Sequence, residues 1–161
     1  MIDTVIADAR YLANYIIQYY EKKFGRQISP IKLQKSLYFC FAYWGGFVRK
    51  SKMYKNEINE LKFSEFLFPN KIEAWVYGPV VPEVYHELNL DNYKSGNIFC
   101  DAFVEDNING ILDDVLKCND FKLVDISHQD KCWQKHFKPK ALFHNDEIPG
   151  EEIIAEYAKI N

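Results

Sequence analysis

Seven glycines and six prolines are spread through 161 residues, and neither type is gathered into a tract. That excludes collagen-like repeats, Gly/Ser linkers and proline-rich arms. The glycines form neither G-x-G-x-x-G nor G-x-x-x-x-G-K-[ST], so the common phosphate cradles are absent from the sequence. No serine lies in a G-x-S-x-G elbow. No apolar run approaches the roughly 18 residues of a bilayer-spanning helix. Asp3, Asp8 and Arg10 interrupt the apolar residues near the N-terminus. That start lacks the continuous apolar middle of a signal peptide, and the expected location is the cytoplasm. Cys40, Cys100, Cys118 and Cys132 contain no C-x-x-C pair and read as free thiols in a reducing compartment. Positive charge is not in excess: 20 Lys and Arg against 23 Asp and Glu give a net charge of -3. With no helix-turn-helix module evident, nucleic acid is not an expected partner of this chain alone.

What is present is a globular composition, 48% hydrophobic and 16% aromatic with 27% charged residues. It is long enough to bury a core, and residues 1–161 read as one domain. Val5, Ala9, Leu12, Ile16 and Tyr19 form the stripe of an amphipathic helix over residues 3–23, stopped by Gly25. Ser29 is a helix cap and Pro30 a first helical residue, followed by Leu33, Leu37, Cys40, Phe41 and Trp44 on one face. Gly45-Gly46 weakens that helix by about 1 kcal/mol per glycine relative to alanine. Pro69-Asn70 reads as a turn between two short strands, roughly 64–68 and 72–77, with Gly78-Pro79 ending the second. Either Pro79 or Pro82 opens the next helix, which carries Val84, Tyr85 and Leu88. Further helices are expected around Val104, Ile108, Ile111, Leu112, Val115 and Leu116, after an Asp120 cap with Leu123, Val124 and Ser127, and from Pro149 through Ile153, Ile154, Tyr157 and Ile160. Residues 137–147 read as a loop. The fold class is mainly α, a compact helical fold with one short antiparallel hairpin, for which α+β is an alternative description.

Candidates for chemistry are few. His128, Cys132 and His136 recur every fourth residue, with Cys118 nearby in sequence. On one straight helix the outer two would lie about 12 Å apart, too far to converge on one zinc ion. A buried thiol flanked by imidazoles is the plainer reading, and no metal is assigned. A Cys-His pair meeting in three dimensions stays open, as does an enzyme built around His128 and Glu73. Glu83 and Glu87 lie a helical turn apart and are expected to face water. No catalytic residue and no cofactor is assigned, and the chain is expected not to be an enzyme.

The densest stretch is EAWVYGPVVPEVYHEL, residues 73–88. Trp75 and Tyr77 alternate with Ala74 and Val76, so one pair is expected inward and the other outward. Gly78, Pro79 and Pro82 stiffen the exit from the strand. Two readings stand side by side: an architectural corner that packs Trp75 inside, or a rigid support whose rings touch a partner. His128 and Trp133 admit the same two readings.

Together with ISPIKLQKSLYF (28–39) and LVDISHQDKCWQKHF (123–137), this stretch resembles the Panacea domain family, whose members include phage-associated proteins and antitoxins of toxin–antitoxin systems. The resemblance spans nearly the whole chain, and EAW-x-YGPVVPEVY is its most specific portion. The stretch between the second helix and Glu73 is longer than the family's pattern. The resemblance implies an antitoxin that neutralises a cognate toxin encoded nearby by direct protein–protein binding. The alternative is a phage-derived adaptor that binds a host protein. Motif or partner-binding positions under either reading are Trp75, Tyr77, Gly78, Pro79, Pro82, Tyr85, His128 and Trp133. Self-association into a homo-oligomer stays open.

Overall fold

The computed structural model describes residues 3–54, 63–69, 71–87, 90, 97–139 and 146–159. Among them are seven helices and one two-stranded antiparallel hairpin, so the fold is mainly α. The helices are α1 (Ala9–Phe24), α2 (Pro30–Tyr54), α3 (Pro82–Tyr85), α4 (Ala102–Val115), α5 (Asp120–His128), α6 (Lys131–His136) and α7 (Gly150–Tyr157). The strands are β1 (Glu73–Trp75) and β2 (Gly78–Val80). No described helix is long and apolar enough to cross a membrane.

α2 is the axis of the fold. Its start follows local rules, with Ser29 Oγ accepting from the Lys32 amide at 3.0 Å and Pro30 at the first helical position. α1, α3, α4, α5, α7 and β2 all pack against it. Leu37, Tyr38, Phe41, Ala42 and Trp44 are consequently buried around its circumference. A helix covered by so many neighbours near its start buries polar residues there as well. Four of the six buried polar residues described for the molecule, Lys32, Gln34, Lys35 and Ser36, lie in its first two turns.

α2 continues through Gly45 and Gly46 to Tyr54. They are the surface on which α7 lies. A Cβ on Gly45 would meet Ile154 Cγ1 at 2.5 Å and the Glu65 carbonyl at 2.8 Å, and one on Gly46 would meet the Tyr157 carbonyl oxygen at 2.7 Å. Arg49 closes the same junction by pairing with Glu65 at 2.9 Å and Glu151 at 2.7 Å.

Several boundaries differ from the sequence expectations for identifiable reasons. α1 begins at Ala9, because Asp8 caps it by accepting the Arg10 amide at 2.8 Å. Val5 and Ile6 precede the helix and donate instead to the Phe66 and Leu67 carbonyls. Tyr19 is only partly buried, its hydroxyl donating to Asp113 at 2.6 Å. Residues 64–68 form no strand. Asn119, not Asp120, caps α5 by accepting from the Lys122 amide. Asp120 instead accepts the Ser29 hydroxyl at 2.6 Å. Leu88, Asn70 and Ile160 lie outside the described residues.

The α7 contact gives a direct test. Gly46→Ala should destabilise the protein by about 1–3 kcal/mol, because its methyl group meets backbone that cannot step aside. Gly110→Ala on α4, where a Cβ meets nothing within 4 Å, should instead stabilise it by up to about 1 kcal/mol. Urea unfolding of both variants checks the contrast, and equal losses would refute the close approach.

Candidate functional site

A hairpin exists, but its first strand lies within the segment expected to be the second, and its turn falls at residues 76–77 instead of 69–70. β1 pairs with β2 in the register Glu73 with Val80, Ala74 with Pro79 and Trp75 with Gly78. Val76 and Tyr77 form the turn. Gly78-Pro79 therefore begins the second strand and does not terminate the first, and Pro82 rather than Pro79 opens α3. Proline is tolerated here because the ribbon has only two strands, so an edge position needs no amide from Pro79. On the other edge of β1, the Ala74 amide donates to the Asp146 carbonyl at 2.9 Å and Ile148 to Ile72 at 2.7 Å.

From below, α2 grips β2 with two buried polar side chains. Gln34 binds both backbone groups of Val81, accepting its amide at 2.8 Å and donating to its carbonyl at 3.3 Å. Lys35, only 1% exposed, donates to the Pro79 carbonyl at 2.9 Å. Burial disfavours the charged ammonium and holds the Lys35 pKa down to about 8. Gly78 makes this approach possible. Its φ of 110° lies where L side chains are strained, and a Cβ there would run into Ser127 Oγ and meet Lys35 Cε at 3.0 Å.

From above, the α5–α6 segment holds β1 and the turn. Trp133 Nε1 donates to the Trp75 carbonyl at 2.8 Å. His128 Nε2 lies 3.0 Å from the Val76 carbonyl; a carbonyl only accepts, so that nitrogen carries the proton. The two rings stack at 4.2 Å between centroids, and Phe137 stacks on the far side of Trp133 at 4.7 Å. This alignment depends on a break in the helix. α5 ends at His128 and α6 begins at Lys131, which lets residues 128 and 133 face the same hairpin.

Asp130, at the break, accepts the hydroxyls of Tyr38 from α2 and of Tyr157 from α7. Burial raises its pKa, a shift that the two phenols oppose. Glu156 of α7 accepts the amides of Lys131 and Cys132 at 2.9 and 2.8 Å, satisfying the free N-terminus of α6.

All eight sequence-singled residues thus belong to one region, but in two roles. Gly78, Pro79, His128 and Trp133 are held by, or hold, backbone, and Pro82 starts the short helix that follows. Val76 and Tyr77 are each 61% exposed and Tyr85 is 58% exposed. The in–out alternation fails because residues 76 and 77 are turn, not strand: Ala74 is buried and Val76 is not. Trp75 lies between the two expectations. It is partly buried, its Nε1 donates to Glu73 at 2.9 Å, and its face receives Tyr85 edge-on at 4.9 Å.

The residues considered for zinc do not converge. His136 pairs with Glu152 at 3.0 Å, Cys132 lies beside the Tyr38 hydroxyl, and Cys118 contacts the Asp114 carbonyl. Among the described residues no three His, Cys, Asp or Glu side chains are grouped to hold a metal ion. Burial pushes the Cys132 thiol up to about 12, which leaves it protonated and unreactive at neutral pH. Glu73 lines a cavity with Lys71, Pro82, Glu83 and Glu147, and His128 is not among its walls. Glu83 is partly buried there with its pKa raised by burial, and so does not simply face water. The residues that sequence reasoning missed are Gln34, Lys35 and Phe137. Gln34 and Lys35 carried a signal, two polar residues inside the apolar run of α2, whereas Phe137 carried none.

Gly78→Ala should cost about 2 kcal/mol or more from backbone strain alone, measured by urea unfolding. Lys35 also predicts a pH dependence. An unfolded lysine titrates near 10.4, so as pH falls from about 10.4 to about 8 the unfolded chain takes up this proton first and stability is lost. Relative to Lys35→Met, the wild type should gain on the order of 3 kcal/mol as pH rises across that window. Parallel stability curves for the two proteins would show that Lys35 is not desolvated.

Comparisons of the chain with protein-family models, with curated proteins and with solved structures found no match, so the chemistry of this site is read from its own residues.

Proposed function

We propose that this chain is an antitoxin of the Panacea type: a cytoplasmic protein that keeps a toxin encoded beside it inactive by direct binding. The observation that carries this reading is the convergence of the three resembling segments on one hairpin. Residues 34 and 35 belong to the first, 73–85 to the second, and 128, 133 and 137 to the third. Gln34, Lys35, His128 and Trp133 meet backbone carbonyls at four positions in and just after the hairpin, Trp75, Val76, Pro79 and Val81. In that arrangement Lys35 Nζ, Gln34 Nε2, His128 Nε2 and Trp133 Nε1 each lie within hydrogen-bond reach of a backbone carbonyl. It leaves a stiff support with Val76, Tyr77 and Tyr85 pointing outward.

Large rings on a fixed support favour association, because they bring contact area while losing little conformational freedom. A partner that covers them removes apolar surface from water without first having to order the hairpin. Stoichiometric sequestration needs this and nothing more.

The test is co-expression with the product of the adjacent reading frame. That product should arrest growth alone and be harmless beside this protein, and the two should co-purify. A neighbour that is harmless alone, or stays lethal beside this chain, sinks the reading; capture of an unrelated host protein in its place supports an adaptor. In the complex, Tyr77→Ala should cost about 2 kcal/mol of affinity or more, while thermal unfolding of the free protein stays unchanged.

A further inference from the structure

A second surface lies apart from the hairpin and shares no residue with it. α2, α4 and α5 enclose an open groove of about 680 Å³. Tyr43 and Phe47 form its α2 wall, Ile111 and Val115 its α4 wall, and Leu123 and Ile126 its α5 wall. Tyr43 is 48% exposed there, an unusual position for a ring in the middle of the central helix.

The polar part of the groove is one-sided. Its carboxylates and amide, Asp106, Asn107 and Asp114, all lie on α4, and among the described residues no Lys or Arg lines it. α4 itself, AFVEDNINGILDDV, carries four acidic residues and no basic one. Asp106, Gly110 and Asp114 follow at four-residue steps, so they share one face of the helix and span about 12 Å. Gly110 sits between the two carboxylates, and a Cβ there would meet nothing within 4 Å. A glycine in a helix interior costs about 1 kcal/mol relative to alanine, and no contact inside the fold requires this one. What it leaves is a low saddle between two negative charges, beside an apolar trough.

We infer that this groove binds an amphipathic helix of a partner protein, with its apolar stripe in the trough and two Lys or Arg residues seven or eight positions apart on Asp106 and Asp114. The dimensions agree: residues seven or eight apart on a helix are separated by about 10–12 Å, which matches the spacing of the two carboxylates. Helix-in-groove recognition sets apolar anchors at i, i+3, i+4 and i+7 against such a trough, and Gly110 lets the incoming backbone approach. Lys117 lies 3.4 Å from Asp114, but both side chains are highly exposed. Such a pair is worth only a few tenths of a kcal/mol and yields to a cation brought in by the ligand. A small molecule fits less well, since its sites need polar groups converging from several sides. The inference stands independently of whether the partner is a toxin.

The probe is a fluorescently labelled synthetic helix with a Leu/Phe stripe and two flanking lysines seven residues apart, paired with a twin carrying glutamates in their place. Anisotropy titration of the full chain should show the lysine peptide binding at least about tenfold more tightly than its twin at low salt. Gly110→Leu, which fills the saddle, should weaken it by about tenfold or more with no loss of thermal stability. Asp106→Lys with Asp114→Lys should reverse the preference between the peptides. Amide shift perturbations should centre on Tyr43, Gly110 and Ile126. Equal binding of the two peptides, indifference to Gly110→Leu, or perturbations at Tyr77 and Tyr85 instead would overturn the inference. So would a concentration-dependent dimer of the wild type that Gly110→Leu converts to a monomer, because the occupant would then be a second copy.

Discussion

A lysine without water governs the centre of this molecule. α2 is enclosed by other elements over its first two turns, so its polar side chains have nowhere to go but onto neighbouring backbone. An unsatisfied buried polar group costs on the order of 1–3 kcal/mol, and a buried ammonium more. Lys35 and Gln34 meet that demand at residues 79 and 81, and the order of residues in the hairpin follows. Position 78 must lack a side chain, because Lys35 and Ser127 occupy the space. Position 79 can be proline, because only its carbonyl is used. Position 81 must offer both amide and carbonyl, because Gln34 takes both. The helix can restart only at 82.

The same hairpin is held from the opposite side, and that grip imposes its own requirements. For His128 and Trp133 to reach adjacent carbonyls, the helix carrying them has to break between them. The break exposes an aspartate and two amides, and α7 satisfies both through Tyr157 and Glu156. α7 can do so only if it lies close against α2, and Gly45 and Gly46 supply that closeness. Tyr38 of α2 then completes the coordination of Asp130. Residues far apart in the chain are therefore fixed by one another, in a closed circuit that begins and ends on α2.

Much of the fold was legible in the sequence where the determinant was local. The Ser29-Pro30 start, the Gly25 stop and the periodic faces of α1, α2, α4 and α7 follow from rules that operate within one turn of helix. The hairpin was placed too early because Gly78-Pro79 looks like a terminator, and only α2 makes it a strand. The helix break at 129–130 and the use of Gly45-Gly46 escaped for the same reason: their cause lies in another element. For the site, the sequence singled out the right stretch and misjudged its side chains. Trp75 was read as either inside or outside and is partly both, while the two residues that hold the hairpin from α2, Gln34 and Lys35, looked like ordinary helix-formers.

The division between backbone and side chain at the hairpin has a functional consequence. Clamping carbonyls leaves the side chains of the turn uncommitted, so Val76 and Tyr77 contribute little to the clamp while it fixes where they point. Fixing a residue's backbone costs roughly 1–2 kcal/mol, and here folding has met that cost for the turn before any partner arrives. The groove on α2, α4 and α5 shares this property, since its walls are core helices and not loops. Phe39, Tyr43 and Phe47, one turn apart along α2, carry the rigidity of the buried helix into that surface. Tyr43 also leans edge-on against Tyr157, 5.0 Å between centroids, the residue that helps hold Asp130. The hairpin turn and the groove are therefore outer faces of a single cross-braced support, and that rigidity is what the two proposed binding roles require.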